Sequence, residues 1–177
     1  MFIDGLRTFY SYGDRATQRL LDVSAGLTQE QWLKEGTAGQ GSVRDTLVHM
    51  ISAQRYWLAF WGGSLAPNQP LDPARFPDVE AVRAAWIELE SATERFLVGL
   101  EEADLEREYS RPSPDGRVHI HKLWQMIMHV ANHGTQHRSE VAAMLTSYGR
   151  SPGDLDFSAY LRSLADAAGR ATRPRTL

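Results

Sequence analysis

Three histidines stand at four-residue intervals in one segment, and this pattern constrains the fold more than any other feature of the chain. They are His129, His133 and His137, within a stretch from Lys122 to Tyr148 that contains no proline. In an α-helix, residues four apart lie one above the other on the same face, so two neighbouring imidazoles could bind one metal ion. The segment therefore predicts a long helix that carries a candidate metal site.

The apolar residues of this segment indicate which histidines face the core. At about 100° per residue, the apolar side chains cluster within roughly a quarter-turn. They are Leu123, Met126, Val130, Val141, Met144 and Tyr148. His133 and His137 fall inside this stripe, whereas His129 lies on its flank. Because His129 and His137 would be roughly 12 Å apart along the helix axis, the preferred metal-binding pair is His133 and His137.

Two imidazoles in a core-facing stripe need polar partners, because burying an unpaired polar group costs about 1–3 kcal/mol. A single core histidine is ordinarily satisfied by a hydrogen bond to a neighbouring side chain or carbonyl. For a one-turn pair, with a further histidine elsewhere in the chain, one metal ion satisfies both rings at once. We therefore favour metal coordination over hydrogen bonding for this pair.

The third candidate ligand is His49, which is alone in a second apolar segment, residues 43–61. Ser42 is an expected N-cap, and Asp45 lies in the first turn, where the helix dipole favours a negative charge. The helix face around His49 is small and partly polar, which suits the lining of a site. Asp45 either accepts the second N–H of His49 and orients the ring, or only caps the helix while His49 faces water. The segment alone leaves both alternatives open.

Composition allows such a site to lie inside one compact domain. The chain has 177 residues, of which 42% are hydrophobic, enough to bury a core of ordinary size. We expect a single domain over residues 1–165 and a small, polar, basic tail at 166–177 that is disordered.

The charge balance argues against several classes of partner. Nineteen basic and 22 acidic residues give a formal charge of −3, so there is no basic surface for nucleic acid and no polybasic patch for a membrane. We find no run of transmembrane length and no signal-peptide pattern, and a cytoplasmic location is the default expectation.

Periodicity and turn signals predict an all-α fold. Four long helices are expected at residues 2–24, 43–61, 78–100 and 122–148, with a short last helix at 155–164. The turn Pro114-Asp115-Gly116 predicts a small β-hairpin before the fourth long helix. His119 and His121 would share a face of that hairpin, where exposed polar residues are more ordinary than a metal pair. Together these elements describe an up-down four-helix bundle with a metal site in its core.

The order of these features resembles the DinB/YfiT-like superfamily. The resemblance covers about residues 1–164, and its most specific part is the segment from His129 to Arg138. It implies an up-down four-helix bundle, frequently a homodimer, with one divalent metal ion held by three histidines. Carried over residue by residue, these ligands fall on His49, His133 and His137, the same three that the residue pattern favours.

The resemblance also implies a class of chemistry. The family name refers to induction by DNA damage and does not imply DNA binding, and characterised relatives include bacillithiol and mycothiol transferases. Three protein ligands leave coordination positions open, and a metal ion with neutral ligands lowers the pKa of a bound water or thiol. Because this chain has no cysteine, a thiolate would come from a low-molecular-weight cosubstrate. Imidazole suits zinc, nickel, copper and iron, so the ligands do not identify the metal.

Two functional hypotheses follow. The first is a divalent-metal-dependent enzyme that acts on a small molecule, as a thiol transferase or a hydrolase. The second is a non-catalytic metal-binding or stress-response bundle, in which the metal is structural or sensory. Nothing in the sequence names a substrate.

Two further expectations concern a pair of charged residues beside the ligands and a group of aromatic residues. Arg138 and Glu140 lie beside the ligands, in the segment Arg138-Ser139-Glu140. This segment departs from the family pattern, which usually has glycine and glutamine there. We expect Arg138 and Glu140 both to be surface or bundle-edge charges, and the alternative is that they position a substrate carboxylate or relay a proton. The aromatics Trp57, Phe60 and Trp61 either pack within the monomer or form a dimer interface, and the sequence does not decide between these.

Overall fold

The chain forms a helical bundle with one hairpin. The computed structural model describes residues 2–36, 38–64, 69–112 and 115–170. Within these ranges the elements are α1 (Phe2–Ser24), α2 (Gln29–Leu33), α3 (Val43–Trp61), α4 (Val79–Val98), β1 (Glu108–Pro112), β2 (Val118–Lys122), α5 (Leu123–Ser147) and α6 (Phe157–Ala167). Short 3₁₀ turns occur at Pro73–Arg75 and Glu102–Glu106. The four long helices begin and end within two residues of the predicted bounds.

Local hydrogen bonds define where α3 begins. The backbone N–H of Asp45 donates to Ser42 Oγ at 3.1 Å, and the N–H of Ser42 donates to the Asp45 carboxylate at 3.2 Å. This reciprocal capping box satisfies two backbone donors that the first turn would otherwise leave unpaired. Helix α4 begins in a similar way, because the N–H of Ala81 donates to the Asp78 carboxylate at 2.9 Å. The caps set the register of the helix that carries His49.

Two apolar clusters at opposite ends of the bundle give the helix directions. One cluster joins the C-terminal parts of α1 and α5 to the N-terminal parts of α3 and α4. The other joins the opposite ends of the same helices. Helices α1 and α5 therefore run one way, and α3 and α4 run the other way. The predicted four-helix bundle is confirmed, and its consecutive helices α3 and α4 are parallel to each other rather than alternating in direction.

The hairpin lies at the end of the bundle where α3 finishes and α5 begins. Strands β1 and β2 are antiparallel, with Tyr109 opposite His121 and Arg111 opposite His119. The Tyr109 hydroxyl donates to the carbonyl of Trp61 at 2.8 Å, and its ring packs on Phe60. These contacts hold the hairpin against the last turn of α3. The predicted hairpin is thus present, although its turn residues Ser113 and Pro114 lie outside the described residues.

The C-terminal part of the chain differs slightly from the prediction. Helix α6 begins at Phe157 and reaches Ala167, rather than spanning 155–164. It therefore extends two residues into the tail predicted to be disordered, and the part of that tail at 171–177 lies outside the described residues. Among the described helices, none is both long enough and apolar enough to cross a membrane.

Candidate metal centre

The three predicted ligands come from two antiparallel helices. His49 lies in the second turn of α3, and His133 and His137 lie near the middle of α5. The apolar stripe of α5 faces the core as predicted, because Leu123, Met126, Val130, Val141 and Met144 are all buried. His137 belongs to this stripe and is only 3% exposed, whereas His49 and His133 are half-buried.

The structure brings the three imidazoles to one point. His133 Nε2 lies 3.2 Å from His49 Nε2 and 3.1 Å from His137 Nε2. One nitrogen from each ring lies within 4.8 Å of the others. Zn–N bonds of 2.0–2.1 Å in a tetrahedral site place ligand nitrogens about 3.3 Å apart. The spacing and the chemistry of these donors therefore fit a single divalent ion.

Glu140 orients the most buried of the three rings. His137 Nδ1 lies 2.5 Å from Glu140 Oε2, and Gln136 Nε2 donates to the other carboxylate oxygen at 3.0 Å. If Nδ1 carries the proton, Nε2 presents its lone pair to the common point, as in carboxylate–histidine–metal arrangements. Glu140 is thus a half-buried partner of His137. The signal in the sequence was its three-residue spacing from His137.

The pKa of Glu140 agrees with this role. Burial acts to raise the pKa, but hydrogen bonds from Gln136 and His137 outweigh burial and lower it. The carboxylate is therefore ionised at neutral pH and accepts the N–H of His137.

Burial lowers the pKa of both half-buried histidines. For His133, desolvation is the largest cause, and repulsion from His137, His49 and His129 adds to it, so that the pKa falls to about 4. Desolvation also lowers the pKa of His49, with a further contribution from His137. Because only neutral imidazole coordinates a metal, both rings are in the binding-competent form at neutral pH.

His129 stands outside the cluster, on the flank of the stripe. Its side chain is exposed, its ring centroid is 6.1 Å from that of His133, and it packs edge-on against Trp57 at 5.5 Å. Among the described residues, the group of side chains that could hold a metal ion consists of His49, His133 and His137 and does not include His129. His129 therefore borders the site.

Asp45 caps α3, as in the second alternative that the sequence left open, but His49 lies in the histidine cluster rather than facing water. Its carboxylate accepts from the backbone N–H of Ser42 and from Arg44 Nε at 2.9 Å. Burial acts to raise its pKa, but these contacts lower it. Asp45 therefore caps α3, and its carboxylate is directed to Ser42 and Arg44.

The expectation that Arg138 is a surface or bundle-edge charge is wrong. Its side chain is only 7% exposed and lies between α1 and α5. The guanidinium sits 5.6 Å from the ring centre of Tyr12 and donates to Thr135 Oγ1 at 2.9 Å. A buried cation of this kind is stabilised by the ring and by the hydrogen bond. Arg138 is thus part of the packing that holds α5 in place behind His137.

Two glycines make room for Arg138. A Cβ at Gly134 would lie 2.9 Å from Arg138 Nη1, and a Cβ at Gly13 would lie 3.2 Å from it. Glycine in the middle of a helix often marks a close approach of another group. These two mid-helix glycines were therefore the signal in the sequence for a buried side chain here.

The remaining predicted features lie near the hairpin. His119 and His121 stack at 6.2 Å on exposed strand residues, and they belong to no group of three metal-binding side chains in the part of the chain that the structure describes. Trp61 is buried at 2% exposure, whereas Trp57 and Phe60 are half-buried. Trp61 thus packs within the chain, whereas Trp57 and Phe60 keep exposed edges, and the predicted dimer interface stays a prediction.

Comparisons with known proteins agree with this architecture. The family model described as "DinB family" matches residues 1–171. Protein DinB of Bacillus subtilis (strain 168) is 23% identical over 159 residues, which cover 86% of this chain and 91% of that relative. The crystal structure of a DinB-like protein from Bacillus cereus ATCC 10987 matches with a TM-score of 0.66 at 19% identity, covering 85% of this chain and 95% of that chain. This last likeness shows the shared fold.

The match to the family model extends over almost the whole chain, and the bundle, the hairpin and the histidine cluster fall within it. The resemblance found in the sequence is confirmed, and the chain belongs to the DinB family.

Proposed function

We propose that His49, His133 and His137 hold one divalent metal ion, and that this centre catalyses a reaction of a small molecule, as a thiol transferase or a hydrolase. The observation that carries the proposal is the convergence of three Nε2 nitrogens from two helices, two of them on half-buried rings. Three imidazoles leave coordination positions for water or substrate, and the exposure of His49 and His133 gives access to them.

The ligand count favours a catalytic centre over a structural one. Structural zinc sites are closed by four protein ligands, commonly cysteines. This chain has no cysteine, and among the described residues no fourth histidine or carboxylate joins the group. A structural role would therefore leave the coordination sphere incomplete.

The protein's own residues prepare the centre in two ways. The Glu140 carboxylate holds the His137 ring in the tautomer that presents Nε2, and desolvation keeps His49 and His133 neutral. A bound divalent ion would supply a Lewis acid that lowers the pKa of water or a thiol at neutral pH. The neutral histidines leave the charge of such an ion largely uncompensated.

The absence of cysteine affects the kind of transfer that the site can perform. No side chain of this protein can act as a thiol nucleophile, so a thiol would enter as a cosubstrate. The ligand type suits zinc, nickel, copper and iron and does not identify the metal. The alternative function is a bundle in which the ion is structural or sensory, and it predicts metal binding without turnover.

Elemental analysis and a reaction screen test the proposal together. We expect one equivalent of a divalent metal in the purified protein, and metal-dependent conjugation of small thiols to electrophiles or hydrolysis of small esters and amides. The variant His49→Ala/His133→Ala/His137→Ala should lose both properties, and His129→Ala should keep the metal. Full metal content in the triple variant would refute the site, and stoichiometric metal without turnover in any assay would favour the structural or sensory alternative.

A further inference from the structure

A surface of aromatic side chains continues from the histidine cluster towards the hairpin. It is formed by Tyr56, Trp57 and Phe60 of α3 and by His129 of α5, and we call it the aromatic surface. Trp57 contacts Tyr56 at 5.5 Å, Phe60 at 6.0 Å and His129 at 5.5 Å between ring centres. The first three side chains are half-buried and His129 is exposed, so the surface is accessible along one side.

The aromatic surface lies on the same side of the bundle as the candidate metal centre. Tyr56 follows His49 by seven residues, which is two helical turns and about 10 Å along the axis of α3. His129 precedes His133 by one turn, with 6.1 Å between the rings. A molecule bound at the centre and extended by about 10 Å would therefore reach the far end of this surface.

Arg111 from β1 covers that far end. Its guanidinium carbon lies 4.9 Å from the ring centre of Trp57 and 5.7 Å from that of Tyr56. Neighbouring arginines are paired, because Arg107 contacts Asp104 and Arg117 contacts Asp115 at 2.6 Å each. In the described parts of the chain, by contrast, no carboxylate lies within ion-pair distance of Arg111.

The position of Arg111 is set by the sheet and by the helix beneath it. Arg111 is opposite His119 and Tyr109 is opposite His121, so all four side chains share one face of the hairpin. The bond from the Tyr109 hydroxyl to the Trp61 carbonyl fixes this face against α3. Stacking on an aromatic ring leaves the edge donors of a guanidinium available, and their fork geometry matches a carboxylate or phosphate.

We propose that the small molecule that reacts at the metal centre carries a carboxylate or another oxyanion, which binds Arg111 while the middle of the molecule lies on Trp57 and Tyr56. This inference rests on the proposed function and adds the substrate class, an elongated anion with its reactive group about 10 Å from its charge. Arg111 is then a specificity-determining residue, and the hairpin supplies part of the substrate site.

Two thiols that differ only in terminal charge provide the test. We would load the protein with Co²⁺ and titrate it with ω-mercaptohexanoate or with ω-mercaptohexanol, following the thiolate-to-cobalt absorption band. The acid should bind roughly three- to tenfold more tightly than the alcohol, in the range expected for a partly exposed charge-assisted contact. The preference should decrease at high salt. Mercaptopropionate is too short to reach Arg111 and should show no advantage over mercaptopropanol.

Matched variants assign the effect to Arg111. Arg111→Gln should abolish the preference for the acid and leave the affinity for the alcohol unchanged. Arg117→Gln removes a charge from the same hairpin and should leave the preference intact. Equal affinities for acid and alcohol in the unaltered protein, or an unchanged preference in Arg111→Gln, would overturn the proposal.

A second measurement separates this inference from the proposed function. Hexanoate, which has no thiol, should perturb the Arg111 Nε–H and Trp57 Nε1–H resonances in an NMR titration of the purified protein. If these signals move but neither thiol produces a cobalt band, the open coordination position is refuted and the anion site stands. If the cobalt bands appear but hexanoate leaves both signals unchanged, the anion site is refuted and the metal centre stands.

Discussion

At the scale of single residues, the three histidines are not equivalent. His137 is 3% exposed and its Nδ1 is hydrogen-bonded to Glu140, whereas His49 and His133 are half-buried and have only each other's or His137's ring nitrogens as polar contacts in the described structure. A ring that is held by packing and by a carboxylate loses little freedom when it coordinates an ion. His137 should therefore be the ligand that is hardest to replace.

The first prediction compares two histidines on the same helix. His137→Ala should reduce the metal content of the purified protein from about one equivalent to near zero and abolish any metal-dependent turnover. His129→Ala should retain the metal, because its ring lies beside the cluster and packs on Trp57. Elemental analysis with circular dichroism to verify folding makes the comparison. If His129→Ala lost the metal while His137→Ala kept it, the ligand pair on α5 would be His129 with His133.

The second prediction concerns Glu140. Glu140→Ala should weaken metal affinity by roughly 10–100-fold, as expected when the partner of a metal-binding histidine is removed. Glu140→Gln should lose less, because an amide oxygen still accepts the N–H of His137. Competition with a chelator of known affinity measures the metal affinity of both variants. Gln136→Ala is the matched control, because it removes the hydrogen bond to the other oxygen of the Glu140 carboxylate and leaves the contact with His137 in place. Unchanged affinity in Glu140→Ala would show that this carboxylate does not orient His137.

At the scale of elements, the register of α3 decides where His49 lies. The capping box between Ser42 and Asp45 begins the helix two turns before His49. The same carboxylate that could have contacted His49 is directed instead to the backbone of Ser42 and to Arg44. Asp45 therefore acts on the centre through the helix start, by fixing where the helical turns begin.

The third prediction tests that helix start. Ser42→Ala removes the acceptor for the N–H of Asp45 and should lower the free energy of unfolding by about 1 kcal/mol. Urea unfolding of the metal-free protein measures the change. Ser139→Ala is the control, because Ser139 is exposed and bonds only to the carbonyl of Thr135 in its own helix, and it should stay within about 0.5 kcal/mol. Equal effects of the two substitutions would contradict the cap assignment.

At the scale of the whole molecule, buried charge lies behind the metal centre. Asp14 of α1 is near the buried Arg138 and faces Glu90 and Glu94 of α4. Burial, followed by repulsion from Glu90, raises the pKa of Asp14 from 3.8 to about 7, although Arg138 opposes the shift. The folded protein therefore retains a proton on Asp14 over a pH range in which the unfolded chain has lost it.

The fourth prediction follows from this shift. Because the folded state binds more protons than the unfolded state between about pH 4 and about pH 7, the contribution of Asp14 to stability falls as pH rises through that window. Asp14→Asn should remove this fall, so the variant should gain stability relative to the unaltered protein as pH increases. The lowered pKa values of His49 and His133 act in the opposite direction and are common to both proteins. A constant difference in unfolding free energy across the window would contradict the shift.

The fifth prediction is self-association, which the sequence suggested through Trp57, Phe60 and Trp61. Trp61 is buried inside the chain and Trp57 belongs to the proposed substrate surface, so the half-buried edge of Phe60 remains for a partner. We expect sedimentation at micromolar concentration to give twice the chain mass of 19.9 kDa. Phe60→Ser should shift the equilibrium towards the monomer, with Leu33→Ser, an exposed site at the other end, as the control. A single species at the chain mass would refute the dimer.

The sequence by itself determined the features that depend on neighbours along the chain. Helix bounds follow from apolar periodicity and from caps, both of which are local, so the four long helices were predicted to within two residues. The pairing of His133 with His137 also follows from helical spacing together with the position of the apolar stripe. The choice of His49 as third candidate needed both its polar helix face and the family resemblance, since no local rule joins α3 to α5.

The tertiary structure decided the features that depend on which faces oppose each other. Only the packed bundle shows that α3 and α4 are parallel, because the sequence does not say at which end of the bundle α4 begins. Arg138 is buried because Gly13 on another helix leaves space for it. The sequence around Arg138 had instead predicted a charge at the surface or the edge of the bundle. Spacing placed Glu140 within reach of His137 but could not say whether their side chains would meet. Sequence patterns thus predict structure only among residues that are close along the chain. The contacts that complete the site join distant segments, so only the tertiary structure shows them.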